Sequence, residues 1–130
     1  MTTIAFLGTG LMGTGFIQRA RVNGLTVRAW NRSAAKAQAL AANDAAGVTA
    51  CASVAEAVRG AERIHLSLAD DASVDAVLVP LAGALPAGAW VVDHTTTAVR
   101  PTAERVARWD ARGVPYVHAP MLMAPAHLAN

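Results

Sequence analysis

The sequence predicts an α/β domain: a doubly wound parallel sheet of about six strands with helices on both faces. Three observations predict it. Short apolar runs, such as Ile4-Ala5-Phe6-Leu7 and Ile64–Leu68, alternate with longer alanine-rich stretches of helical character. Those runs are continuous rather than alternating, as strands covered on both faces read. The first run passes through Gly8-Thr9-Gly10-Leu11-Met12-Gly13, spaced G-x-G-x-x-G, straight into the helix-like Phe16–Ala20.

Each element follows in order. Thr3–Leu7 reads as the first strand and Met12–Asn23 as the first helix, stopped by Gly24. Thr26–Trp30 is the second strand. Ser33 is placed to N-cap the helix Ala34–Asn43. After Gly47 comes a short strand, Val48–Ala50. Ser53 is placed to cap a short helix, Val54–Arg59, ended by Gly60. Ile64–Leu68 is the fourth strand, and Asp71 or Ser73 starts a helix to about Leu81. Pro86 and Gly88 mark a turn before the fifth strand, Trp90–Asp93. A helix over about Arg100–Arg112 carries Pro101 in its first turn and Gly113 at its end. Tyr116–Ala119 is the sixth strand. Right-handed crossovers then give the expected order 3-2-1-4-5-6, the Rossmann-like arrangement.

Bulk properties bound the function. A chain of 130 residues makes one domain with a real core. At 54% hydrophobic and 15% charged residues it is not a disordered chain. A net charge of +2, with no Lys/Arg cluster, argues against a nucleic-acid partner. No apolar stretch is long enough to span a bilayer, and no signal peptide is legible at the N-terminus. Cys51 is the one cysteine, so no internal disulfide forms. The expected setting is cytoplasmic.

In this fold, ligands bind at the carboxyl ends of the strands, near the switch point. That rule nominates four segments. Gly8 turns the chain off the strand, Gly10 lets a pyrophosphate approach the backbone, and Gly13 lets helix and strand pack closely. The helix N-terminus adds unpaired N–H groups and positive dipole. Asn31-Arg32-Ser33 stands where such folds read the adenine ribose. A carboxylate there favours NAD; Arg32 can instead fork onto a 2′-phosphate. A charge-assisted contact of about 1.5–3 kcal/mol favours NADP roughly 10- to 150-fold. The alternative for Arg32 is a solvated arginine, and Lys36 one turn later either adds charge or is simply exposed. The third segment is Ser67-Leu68-Ala69-Asp70, where Leu68 and Ala69 border the cofactor. Asp70 and Asp71 either join the site or serve the next helix N-terminus. In the fourth, Asp93-His94-Thr95-Thr96-Thr97, Thr95 is the candidate for the cofactor and Thr96 for substrate; ordinary turn chemistry is the alternative. His65, His94, His118 and His127 show no metal-ligand spacing, and His65 reads as a structural residue within a strand.

In this order the four segments resemble the β-hydroxyacid dehydrogenase family. It includes 3-hydroxyisobutyrate and 6-phosphogluconate dehydrogenases, glyoxylate/succinic semialdehyde reductases and, more distantly, imine reductases. Its Gly-x-Gly-x-Met-Gly signature is matched by Gly8, Gly10, Met12 and Gly13. Asn-Arg-Ser/Thr of its NADP-using branches is matched by Asn31-Arg32-Ser33, and Asp-x-Ser/Thr-Thr by Asp93, Thr95 and Thr96. The chain departs from the family's substrate signature, Asp-Ala-Pro-Val-Ser-Gly-Gly. It has His118-Ala119-Pro120-Met121-Leu122-Met123-Ala124. Met121, Leu122 and Met123 imply a bulkier, less polar substrate, or an apolar end that packs on something else.

The resemblance implies an NADP-dependent dehydrogenase or reductase, NAD being the less favoured cofactor. Its substrate would be a small hydroxy acid, aldehyde, keto acid or imine. Residues 1–120 form the dinucleotide-binding domain, and 121–130 start the connection to a C-terminal helical domain. The family's catalytic lysine lies in that domain; Lys36 is the only lysine here, so no catalytic residue and no metal ligand is assigned. The chain alone is expected to bind cofactor without turnover. It is also expected to form a homo-oligomer, such as a dimer, through the helical domain or the apolar C-terminal end. The competing reading is a non-catalytic NAD(P)-binding sensor or scaffold.

Overall fold

β1 (Thr3–Leu7) buries every residue from Ile4 to Leu7, so it belongs at the centre of a sheet. The computed structural model, which describes residues 2–120, puts it there. After it come α1 (Leu11–Val22), β2 (Thr26–Trp30), α2 (Ala34–Asn43), β3 (Val48–Ala50), α3 (Val54–Val58), β4 (Arg63–Leu66) and α4 (Asp71–Leu78). β5 (Trp90–Asp93), α5 (Val99–Ala111) and β6 (Tyr116–His118) follow among the described residues. All neighbouring strands pair in parallel, in the order β3-β2-β1-β4-β5-β6. The predicted fold class and order are those observed.

The boundaries differ in informative places. β4 ends at Leu66, two residues before the predicted end. The Ser67 amide still donates to Leu7, but the Leu68 amide turns away to the Thr95 hydroxyl, which pulls the chain out of the sheet. Ser53 caps α3 as predicted: its hydroxyl accepts from the Glu56 amide at 3.1 Å, and Glu56 reaches back to the Ala52 amide. Ser33 does not. It sits at the N-cap position of α2 with its hydroxyl uninvolved. α4 tightens into a 3-10 turn at Val79–Leu81, where Pro80 has no N–H to continue the helix.

Two clusters form the core, one on each face of the sheet. α3, α4 and α5 contribute Ala57, Val58, Val74, Leu78 and Trp109 to the larger. α1 and α2 contribute Ile17 and Ala37 to the smaller, which rests on Ile4, Phe6, Val27, Ala29 and Val48. The smaller cluster therefore stops at β1. The row that continues it by register, Phe6–His65–Val92–Val117, ends in a Val117 that is 41% exposed, and Trp90 beside it is 39% exposed. Half of that sheet face is thus partly bare.

Candidate functional site

The glycine loop lies between the carboxyl ends of β1 and β4, the switch point of the sheet. Its three glycines are not equivalent. Gly8 has φ +105°, and a Cβ there would stand 2.1 Å from the Ser67 carbonyl oxygen. A Cβ on Gly13 would stand 2.1 Å from the Gly8 carbonyl oxygen. Both are required by the fold itself. A Cβ on Gly10 would meet nothing within 4 Å, although Gly10 is the N-cap of α1. The protein has no steric need for glycine there; a phosphate resting on the backbone does. The donor set therefore fits a dinucleotide.

The loop opens on a cavity of about 1020 Å³. Gly8, Gly10 and Met12 form one wall, and Ser67, Leu68, Ala69 and Asp70 the facing one. Trp30, Val54, Val77, Pro80 and Leu81 make up its apolar slot, of a polarity that suits a heteroaromatic ring. Asn31, Arg32 and Lys36 line its polar end. Asn31 is fixed there. Its Oδ1 accepts from the Thr9 amide at 3.0 Å, and its Nδ2 donates to the Ser33 carbonyl at 3.0 Å. The exposed Arg32 and Lys36 side chains follow it, with no carboxylate between them.

Of the twelve predicted cofactor residues, Gly8, Gly10, Met12, Asn31, Arg32, Leu68 and Ala69 line this cavity. Gly13 supports it from behind. Thr9 lines it with neither atom nor side chain; its hydroxyl is buried and unpartnered among the described residues. Ser33 is exposed next to Arg32. Thr95 is 2% exposed and faces inward, and Thr96 is exposed on the β5–α5 loop. The Leu11 side chain and all of Met121, Leu122 and Met123 lie outside the described residues. Asp70 caps α4: its Oδ1 accepts from the Ser73 hydroxyl and amide, which hold its carboxyl below the ordinary range. Asp71 turns to the Ala98 amide and Arg105, which lower its pKa in that order. Among the described residues no cluster of His, Cys, Asp or Glu could hold a metal ion, and no helix is long and apolar enough to cross a membrane.

Over residues 3–123 the sequence matches the family model of the NAD binding domain of 6-phosphogluconate dehydrogenase. The chain belongs to that family. Solved structures agree with this. A Mycobacterium tuberculosis 3-hydroxyisobutyrate dehydrogenase with L-serine is 28% identical at TM-score 0.91, over 99% of this chain and 43% of its own. An imine reductase from Myxococcus stipitatus in complex with NADP+ is 25% identical at TM-score 0.87, over 95% and 42%. A reductive aminase from Aspergillus terreus in complex with NADPH and ethyl levulinate is 27% identical at TM-score 0.83, over 97% and 43%. This NAD(P)-binding domain thus spans less than half the length of the relatives it matches. No curated protein matches it at a significant level.

The domain also carries a histidine pair that the sequence did not reveal. His94 Nδ1 lies 3.1 Å from the Ala119 carbonyl, which can only accept, so that nitrogen holds the proton. In the neutral ring, His94 Nε2 is then an acceptor, and His65 Nδ1 donates to it at 3.0 Å. His65 Nε2 is buried without a partner among the described residues. Phe6 stacks on both rings, and Phe16 on His94. Burial first, then His94 and Arg63, push the His65 pKa down to about 4. Burial lowers that of His94 as well, against the Ala119 contact. The unfolded chain takes up this proton near its ordinary pKa of 6.5, while the folded one refuses it down to about 4. Stability is therefore level above that range and falls with pH through it, by up to about 1.4 kcal/mol per pH unit for one proton. Urea unfolding between pH 8 and pH 4 should show that slope, and His65→Gln should flatten it by about one proton. An unchanged slope in the variant would assign it to other groups.

Proposed function

We propose that this domain is the cofactor half of an NADP-dependent oxidoreductase. Its partner substrate is a small hydroxy acid, aldehyde, keto acid or imine. The observation that carries the cofactor choice is the polar end of the cavity. Asn31 spends its side chain on the Thr9 amide and the Ser33 carbonyl, so no carboxylate meets the ribose. Arg32 and Lys36 then offer two cations where a 2′-phosphate would lie. The apolar slot takes the adenine, and the glycine loop with the α1 N-terminus takes the pyrophosphate. When bound, NADP supplies the hydride chemistry at nicotinamide C4. This chain's residues bind the nucleotide, fix its orientation and exclude water from its middle.

The proton donor belongs, on this reading, to a following helical domain that residues 121–130 lead towards. The partly bare face at Trp90 and Val117 supports a covering element of that kind. The competing reading is a sensor or scaffold that binds NAD(P) without turnover; it would use the same cavity, lined by Lys36. Turnover of carbonyl or imine substrates by the domain, alone and with its continuation, separates the two.

Equilibrium titration with NADPH and NADH tests the cofactor assignment. NADPH should bind more tightly, and Arg32→Ala should weaken it roughly 10- to 150-fold, about 1.5–3 kcal/mol, with NADH little changed. Equal binding of both cofactors by the native chain would remove the NADP assignment.

A further inference from the structure

The geometry points to Thr95 as a positioning residue: a peg that sets the Ser67–Ala69 wall of the cavity before any cofactor arrives. This rests on the reading that the cavity holds a dinucleotide. Thr95 uses its N–H, its carbonyl and its hydroxyl oxygen inside the protein. Its N–H donates to Asp93 Oδ1 at 2.9 Å. Its carbonyl accepts from His118 Nε2 at 2.9 Å. Its hydroxyl accepts from the Leu68 amide at 3.0 Å. Asp93 is fully buried, and its second oxygen is held by the Tyr116 hydroxyl at 2.5 Å. Thr95 is thus locked from β5 and from β6, and it presents one oxygen to the Leu68 amide in the loop after β4.

That oxygen acts at a sensitive place. Leu68 and Ala69 line the cavity, and Ser67 O abuts Gly8 closely enough to exclude a Cβ. The peg therefore sets the gap between the two facing walls. It does so from outside the cavity, since Thr95 is not among the residues that line it. A valine at 95 would keep the shape and strand the Leu68 amide without an acceptor, and the wall would move to find one.

The test compares the native chain with Thr95→Val and Thr95→Ser, by NADPH titration and by hydrogen exchange at the Leu68 amide without cofactor. Thr95→Val should bind about tenfold more weakly, the equivalent of about 1.4 kcal/mol, with its Leu68 amide exchanging fast. Thr95→Ser retains the oxygen and should match the native chain in both. A purely structural role would lower the melting temperature of Thr95→Val and leave the affinity of its folded fraction unchanged; that result overturns the proposal. So does a serine variant as weak as the valine one. If Thr95→Val does not fold, the native chain decides: a Leu68 amide that exchanges freely before NADPH is added also overturns it. A native chain with a protected Leu68 amide that binds no NADPH removes the cofactor reading, and leaves Thr95 a residue of the fold alone.

Discussion

Gly10→Ala should abolish most dinucleotide binding while leaving the domain folded and only slightly less stable than the native chain. The added methyl meets no protein atom within 4 Å, and Gly10 has an ordinary φ of −70° that alanine adopts without strain. Gly10 caps α1, where alanine is less favoured than glycine, so the variant should lose up to about 1 kcal/mol of stability. The methyl fills the place where a phosphate would rest on the α1 N-terminus. The expected loss is at least about 30-fold in NADPH affinity, about 2 kcal/mol, with the urea midpoint only slightly lowered. Gly13→Ala should behave in the opposite way. Its methyl would press on the Gly8 carbonyl, which is backbone and cannot swing aside. About 1–3 kcal/mol of stability should be lost. Gly8→Ala adds strain at φ +105° to the same kind of collision and should cost more. Titration and urea unfolding of the three variants read this directly. If Gly10→Ala bound NADPH at native strength, the phosphate assignment of the loop would fall and the fold would not.

The same contrast explains what was legible in the sequence. Glycine spacing, apolar runs and turn residues are local signals, and they gave six strands in the observed order with boundaries off by a residue or two. The glycine loop and Asn31-Arg32 were legible for the same reason. The apolar slot was not. Val54 and Val77 belong to α3 and α4, and Pro80 to the turn after α4, while the switch-point rule nominates strand ends only. Thr95, the candidate cofactor contact, is buried and accepts from the Leu68 amide. Its fate depends on Asp93 and His118, residues that meet across β5 and β6 by register. His65 and His94 are 29 residues apart and show no spacing of their own. Their only signal is placement: His65 pairs with Phe6 and Val92 by register, and His94 follows β5 two residues after Val92.

Arg105 shows the limit of local reading most sharply, and it carries the second large expectation. On α5 it sits among Glu104 and Arg108, and nothing in the local sequence marks it as buried. In the structure it is 0% exposed. Its Nε donates to Asp75 Oδ1 at 2.7 Å, and its Nη2 to Asp71 Oδ1 at 2.9 Å. Burial works against the charge, but Asp75 and then Asp71 overcome it, and the guanidinium pKa stands above its usual value. Removing one member of a buried ion pair typically costs about 3–5 kcal/mol, because the partner charge is stranded. Here the partners retain some water: Asp71 is 27% and Asp75 40% exposed. Arg105→Ala should therefore fall at the low end, about 3 kcal/mol, or roughly 10 °C in melting temperature. Arg105→Met restores the buried volume without the charge and should recover part of that loss. Arg105→Lys should not recover it fully, since one ammonium cannot fork to two carboxylates as the guanidinium does. Methionine no better than alanine would mean that the charge and not the packing holds α5 to α4. Lysine equal to arginine would mean that one ion pair suffices. Asp71 also accepts from the Ala98 amide, so the alanine variant should loosen the β5–α5 loop before it loosens the glycine loop. Hydrogen exchange at Ala98 and at Thr14 would order the two events.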